Sequence, residues 1–170
     1  MNKRKSPATS GNPGFGKKGE HLVALQFLLI IAFIAAPSWN PSVTPELLQE
    51  LFLLRVAVMA SAGVAALVLG GYGSHALSDV VTPLPYPVDH SRLVQDGIYG
   101  YVRHPLYGSQ LVAGLGWVVF TLSLTHLCIL LLAFTFFNHK ASKEEAWLIE
   151  RHPDYVAYRK KTKKLIPWLY

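Results

Sequence analysis

Apolar residues run almost unbroken over 22–36, 51–71 and 106–137, with polar positions gathered between them. The first run predicts a short membrane helix that ends at Pro37-Ser38-Trp39-Asn40-Pro41. A cleaved leader is the alternative, but Ile34 is large where a small residue is needed and Pro37 would follow the cut. In the second run, Thr44 caps a helix beginning at Pro45, because proline suits the first helical position. Ala60-Ser61-Ala62-Gly63 and Ala65-Ala66 give this helix a face for close packing, and Arg55 reads as a side chain that snorkels to the interface. As one straight helix, 106–137 would reach roughly 48 Å at 1.5 Å per residue, against a hydrocarbon core of about 30 Å. The polar interval from Thr121 to His126 therefore predicts a hairpin of two antiparallel helices rather than one long tilted helix.

Between the runs, 72–101 reads as a loop in which Pro83, Pro85 and Pro87 favour extended backbone. A connection of that length is usually functional or disordered. After Phe137 the pattern turns amphipathic, Pro153 interrupts it, and Lys160-Lys161-Thr162-Lys163-Lys164 precedes an aromatic terminus. This predicts a short cytoplasmic helix closing on a basic and aromatic interface anchor. The whole is an all-α integral membrane protein: about four transmembrane helices, the last two a hairpin, plus the C-terminal helix. A disordered basic tail (1–19) leads into a single membrane-embedded domain (20–170).

Composition supports this reading. Only 15% of the 170 residues are charged and 51% are hydrophobic, where soluble domains carry about 25% charged residues. The net charge of +6 comes mostly from the two ends, while 37–50 and 121–126 hold no Lys or Arg. The positive-inside rule then puts both termini in the cytoplasm, against anionic lipid, with no nucleic-acid partner expected. Cys128 reads as a buried, inert thiol inside an apolar run. The histidines, His126 among them, have no metal spacing and read as interface or loop residues.

Chemistry concentrates around the third run. Arg103-His104-Pro105-Leu106-Tyr107 precedes it, and Glu144-Glu145 follow the helix after it. Taken separately, the first is an ordinary interface belt and the second a solvated helix with a weak Lys140–Glu144 surface pair. A hairpin brings them to one side of the membrane. There Tyr99, Tyr101 and Tyr107 with a carboxylate suit a cationic, adenine-bearing ligand.

The segments GIYGYVRHPLY and EEAWLIERHPDYVAYRKKTKKLIPW, flanking the helical hairpin, resemble the isoprenylcysteine carboxyl methyltransferase family, whose relatives include phospholipid methyltransferases. The likeness spans about 77–168. It implies a membrane-embedded enzyme that uses S-adenosylmethionine to methylate a lipophilic small molecule or lipid substrate, a carboxylate first, an amine or thiol otherwise. It also implies that Ser91, Arg92, Leu93, Val94 and Tyr99 line the cofactor pocket. His104, Pro105, Leu106 and Tyr107 would form its central wall, and Glu144 would hold a polar group of the cofactor. Lys140 falls where the family places a substrate-carboxylate-binding arginine, with a point charge in place of the planar fork. Gly108 follows Tyr107 directly, where the family often has one residue between, and Ser91, beside His90, stands where histidine is common. Two rival readings are a non-catalytic membrane binding or assembly protein and a nicotinamide-dependent membrane reductase. The second lacks a glycine fingerprint.

Overall fold

A computed structural model describes residues 19–77 and 93–170. The expected disordered tail, apart from Gly19, and the Pro83–Pro87 alternation lie outside the described residues, as do Ser91 and Arg92. The helices are α1 (Glu20–Ala35), α2 (Pro45–Glu50), α3 (Phe52–Ala76), α4 (Pro105–Thr121), α5 (Leu124–Arg151) and α6 (Tyr155–Lys161), with a 3₁₀ turn at Gly97–Gly100. The chain is all-helical, and the described residues include no strand, only an isolated parallel bridge between Val102 and Lys163.

Helix boundaries follow local chemistry. Thr44 Oγ1 accepts from Leu47 N at 3.3 Å to start α2, with Pro45 in the first turn. The expected end of the second long helix at Gly71 is displaced: α3 runs to Ala76 because Gly70 and Gly73 are packing positions against Ser109 and Pro105. The long apolar run breaks at Leu122, in the left-handed region (φ 48), followed by Ser123, whose Oγ caps α5 by accepting from His126 N at 3.3 Å. A single tilted helix is thereby excluded. Helix α5 does not stop where polarity returns after Phe137. It continues to Arg151 and ends ahead of Pro153, whose ring restricts His152 before it.

Two antiparallel pairings organise the bundle. Along α3 and α4, Ala62 meets Gly116, Gly70 meets Ser109 and Gly73 meets Pro105. A Cβ on Gly116 would come within 2.7 Å of the Ala62 methyl, so the helices touch at nearly backbone distance. Of the expected small-residue face, Ala62 is used, while Gly63 has open space beside it. Along α4 and α5 the partners are Trp117 with His126, Gly114 with Leu130, and Tyr107 with Phe137.

Helices α3 and α5 are long and apolar enough to cross a membrane. Only 11% of the apolar window of α3 is buried, so it is no soluble core helix; Leu53, Val64 and Leu67 project outward. An apolar exterior of this kind belongs to a membrane-associated protein.

At one end of the bundle, the turn between α4 and α5 is tied to the segment after α1. Leu124 N donates to Trp39 O at 2.9 Å, and Asn40 Nδ2 donates to Leu122 O at 2.7 Å. Arg55 does not snorkel. It is buried beneath Phe120, with Nε donating to Phe120 O at 2.5 Å and Nη1 to Leu48 O at 2.9 Å, and so supplies the end of α4 with a donor. Nearby His126 is likewise buried rather than interfacial, its Nδ1 2.8 Å from Ser123 Oγ. Cys128, expected to be buried, is exposed, because it lies off the α5 face that meets α4. At the other end, the segment expected as an aromatic anchor divides. Trp168 and Leu169 are exposed, but Leu165 is fully buried against Leu111 and Phe137.

Candidate functional site

The C-terminal segment shapes the site by crossing the chain ahead of α4. Arg103 N donates to Lys163 O at 2.8 Å, His104 N to Lys164 O at 3.0 Å, and Lys163 N to Tyr101 O at 3.1 Å. Gly108 permits the approach, since a Cβ there would collide with the Leu165 carbonyl oxygen. Pro105 opens α4 with His104 at its N-cap, so Arg103 and His104 lie just ahead of the helix, where their side chains meet α5.

Helix α5 answers with one face. Phe137, Lys140, Ala141, Glu144 and Glu145 stand at i, i+3, i+4, i+7 and i+8, and all but Glu144 are buried. Glu145, only 3% exposed, is the hub. Its Oε1 accepts from Arg103 Nε at 2.8 Å and lies 3.2 Å from His104 Nε2, and its Oε2 lies 3.4 Å from the exposed Arg159 Nε. The Arg103 guanidinium also donates to Thr162 O, and to Arg159 O at 3.2 Å. Glu144 Oε2 lies 3.3 Å from His104 Nδ1, and its Oε1 accepts from the Tyr107 hydroxyl.

Both ring nitrogens of His104 thus face carboxylates. A neutral ring would turn a lone pair toward one of them, so the geometry calls for the doubly protonated form. Burial pulls the His104 pKa down, but the bonds to Glu144 and Glu145 outweigh it and raise it above its ordinary value. Burial pushes the Tyr158 phenol up to about 12, keeping its hydroxyl a donor to Tyr99 O at 2.7 Å.

A stack of rings leads away from the charges. His104 lies on Tyr107 (5.6 Å between centroids, 10° apart), and Tyr107 lies on Phe137 (5.0 Å, 16°). Lys140 Nζ sits 5.1 Å from the Tyr107 centroid. Next to Phe137 a cavity of about 560 Å³ opens between α1, α4 and α5, lined by Phe33, Leu111, Trp117, Leu130 and other apolar side chains, with Gln110 also in its wall.

Of the residues the sequence nominates, His104, Tyr107 and Glu144 form one connected cluster, with Lys140 against its ring face. Tyr99 is buried alongside, its hydroxyl 3.4 Å from Gly73 O. Pro105 and Leu106 lie against Gly73 of α3. Leu93 and Val94 are half-buried ahead of the 3₁₀ turn and make none of the bonds or ring contacts that join the cluster. The sequence places Arg103 and Glu145 in the two candidate clusters without giving either a role, and it passes over Gln26, whose Oε1 accepts from Lys140 Nζ at 2.6 Å. Gln26 had one available signal, an amide in the middle of an otherwise apolar run.

The chain matches the model of the isoprenylcysteine carboxyl methyltransferase (ICMT) family over residues 46–150. It is 39% identical over 77 residues to the protein-S-isoprenylcysteine O-methyltransferase of Schizosaccharomyces pombe (strain 972 / ATCC 24843), a stretch covering 44% of this chain and 33% of that relative. The match thus spans about a third of the relative's length. The family match takes in α2 to α5 and with them the His104–Glu144–Glu145 cluster, and leaves α1 and the C-terminal crossing segment outside. By that match, which covers more than half of its length, the chain belongs to the isoprenylcysteine carboxyl methyltransferase family.

Proposed function

We propose that this chain is a membrane-embedded methyltransferase that uses S-adenosylmethionine and methylates a carboxylate carried on a lipophilic molecule. The observation that supports this most is the meeting of two environments at Tyr107, Phe137 and Lys140. An acid–aromatic cluster lies on one side of them, and an apolar cavity ends on the other. The relative's name points to a prenylated cysteine as acceptor. An apolar chain in the cavity would bring its terminal carboxylate to the buried ammonium of Lys140.

The donor set suits the cofactor. Glu144 keeps 14% side-chain exposure, and each of its oxygens retains a lone pair beyond its present bond, which fits an ammonium group. Tyr107 and the nearby Tyr99 offer aromatic surface for a cationic sulfur and an adenine, while the charge of His104 is taken up by Glu144 and Glu145. Tyr99, His104, Tyr107 and Glu144 would hold the cofactor, with Leu93 and Val94 at its edge. S-adenosylmethionine supplies a methyl group already activated on a sulfonium. The chain needs no nucleophile of its own. Arg103 and His104 fix Glu145, His104 and Tyr107 fix Glu144, and the packed rings exclude water. The protein's contribution is alignment in a dry site.

In this reading, 20–170 form one membrane-embedded domain in which α1, α3, α4 and α5 all cross. Arg103, Arg159 and Lys164 gather at the end that holds the cluster, which puts that end and both termini on the cytoplasmic side. The test is transfer of tritiated methyl from S-adenosylmethionine to an S-prenylated cysteine by the detergent-purified protein, scored as base-labile methyl ester. Labelled ester is the expected result. Failure to transfer label to this or any lipid-extract acceptor would overturn the reading.

A further inference from the structure

We infer that Gln26 of α1 and Gln110 of α4 are specificity-determining residues of the acceptor site, an amide pair that holds the Lys140 ammonium where an acceptor's carboxylate binds. This deepens the methyltransferase reading and rests on it. It also makes α1, outside the family match, part of the working site.

The amides form a directional chain. Gln110 Nε2 donates to Leu106 O at 3.1 Å, which commits its NH₂ group to backbone. Gln110 Oε1 then accepts from Gln26 Nε2 at 3.3 Å, and Gln26 Oε1 is left to accept from Lys140 Nζ at 2.6 Å. Each amide orientation is set by the next. Lys140 is 1% exposed, and among the described residues its ammonium has a neutral hydrogen-bond partner and no carboxylate at ion-pair distance. The nearby acid, Glu144, is engaged by Tyr107 and His104. A buried cation with only neutral partners is costly, and an entering anion removes that cost.

The cavity places the anion. Gln110 is the carboxamide among its lining residues, and Leu29, Ile30, Phe33 and Ile34, all from α1, form a wall. A chain lying in the cavity reaches the amide pair with its polar terminus. A carboxylate there accepts from a second N–H of the Lys140 ammonium while Gln26 Oε1 keeps the first, whereas an amine terminus meets the ammonium with like charge. The pair therefore selects carboxylate acceptors over amines.

The experiment measures binding without methyl transfer, so it stands whether or not the protein proves to be an enzyme. Two labelled probes are titrated against the detergent-purified full chain: an S-prenylated cysteine with a free carboxylate and the same molecule as its carboxamide. Gln26→Glu sets a competing internal carboxylate on Lys140. It should weaken the carboxylate probe about tenfold, which is about 1.4 kcal/mol, and leave the carboxamide within about twofold. Gln110→Leu, of similar volume, guards against misfolding of the first variant and should weaken the carboxylate probe in the same selective way. Equal weakening of both probes, or no change in either, overturns the inference.

Discussion

At the scale of single residues, the site rests on a carboxylate that hides inside a pair. Glu144 and Glu145 look alike in the sequence, but one helical step rotates them apart. Glu144 meets Tyr107, while Glu145 enters the buried charge cluster. Glu145→Gln should destabilise the protein by about 3–5 kcal/mol, since it leaves Arg103 buried without its partner. Thermal unfolding in detergent checks this. Glu144→Ala or His104→Ala should leave the fold in place and lower methyl transfer about a hundredfold or more by misaligning the site. His104 also sets a pH dependence. Its raised folded-state value means that its contribution to stability is full below the ordinary imidazole value of about 6.5 and is lost as pH rises through the folded value. Melting temperature should therefore fall with rising pH above that point in the native chain, and fall less in His104→Gln. His104, Tyr107 and Glu144 were legible from the motif. The same motif singled out Lys140, but the burial of Lys140 and Glu145 was not legible, because charges on an amphipathic stretch read as solvated until a second helix covers them.

At the scale of elements, breakers proved better guides than polarity. The return of charge after Phe137 suggested the end of a span, yet no residue there interrupts the hydrogen-bond ladder, and α5 runs to Arg151. The bend at Leu122 and Ser123 was legible from its polar interval; the extension of α3 past Gly71 was not, because Gly70 and Gly73 serve as contacts with α4. The crossing of the C-terminal segment over Gly108 is an element-scale constraint. Gly108→Ala should push Leu165 away from α4, at a cost of about 1–3 kcal/mol typical of overpacking. Limited proteolysis should then cut near Lys163 and Lys164 faster than in the native chain.

At the scale of the molecule, the hydrophobic pattern revealed an all-helical, membrane-associated chain, because exterior and interior are both apolar and only length and breaks distinguish the helices. The cavity was not legible, since its walls come from α1, α4 and α5, far apart in sequence. Deleting residues 1–36 removes one wall and Gln26 but leaves the residues of the acid–aromatic cluster present. Such a chain should lose binding of the prenylated probe while retaining S-adenosylmethionine binding, measured by equilibrium dialysis. Equal loss of both would show that α1 supports the whole bundle instead.

The strand-like contact of Val102 with Lys163 also sets an order of events. A ribosome delivers Arg103 and His104 well before Thr162 and Lys163. The growing polypeptide therefore holds its hairpin, and the acids on it, before the clamp that fixes the guanidinium exists. The tail completes the cluster, and a nascent chain stalled short of Thr162 would carry Glu144 and Glu145 beside an Arg103 that nothing yet clamps.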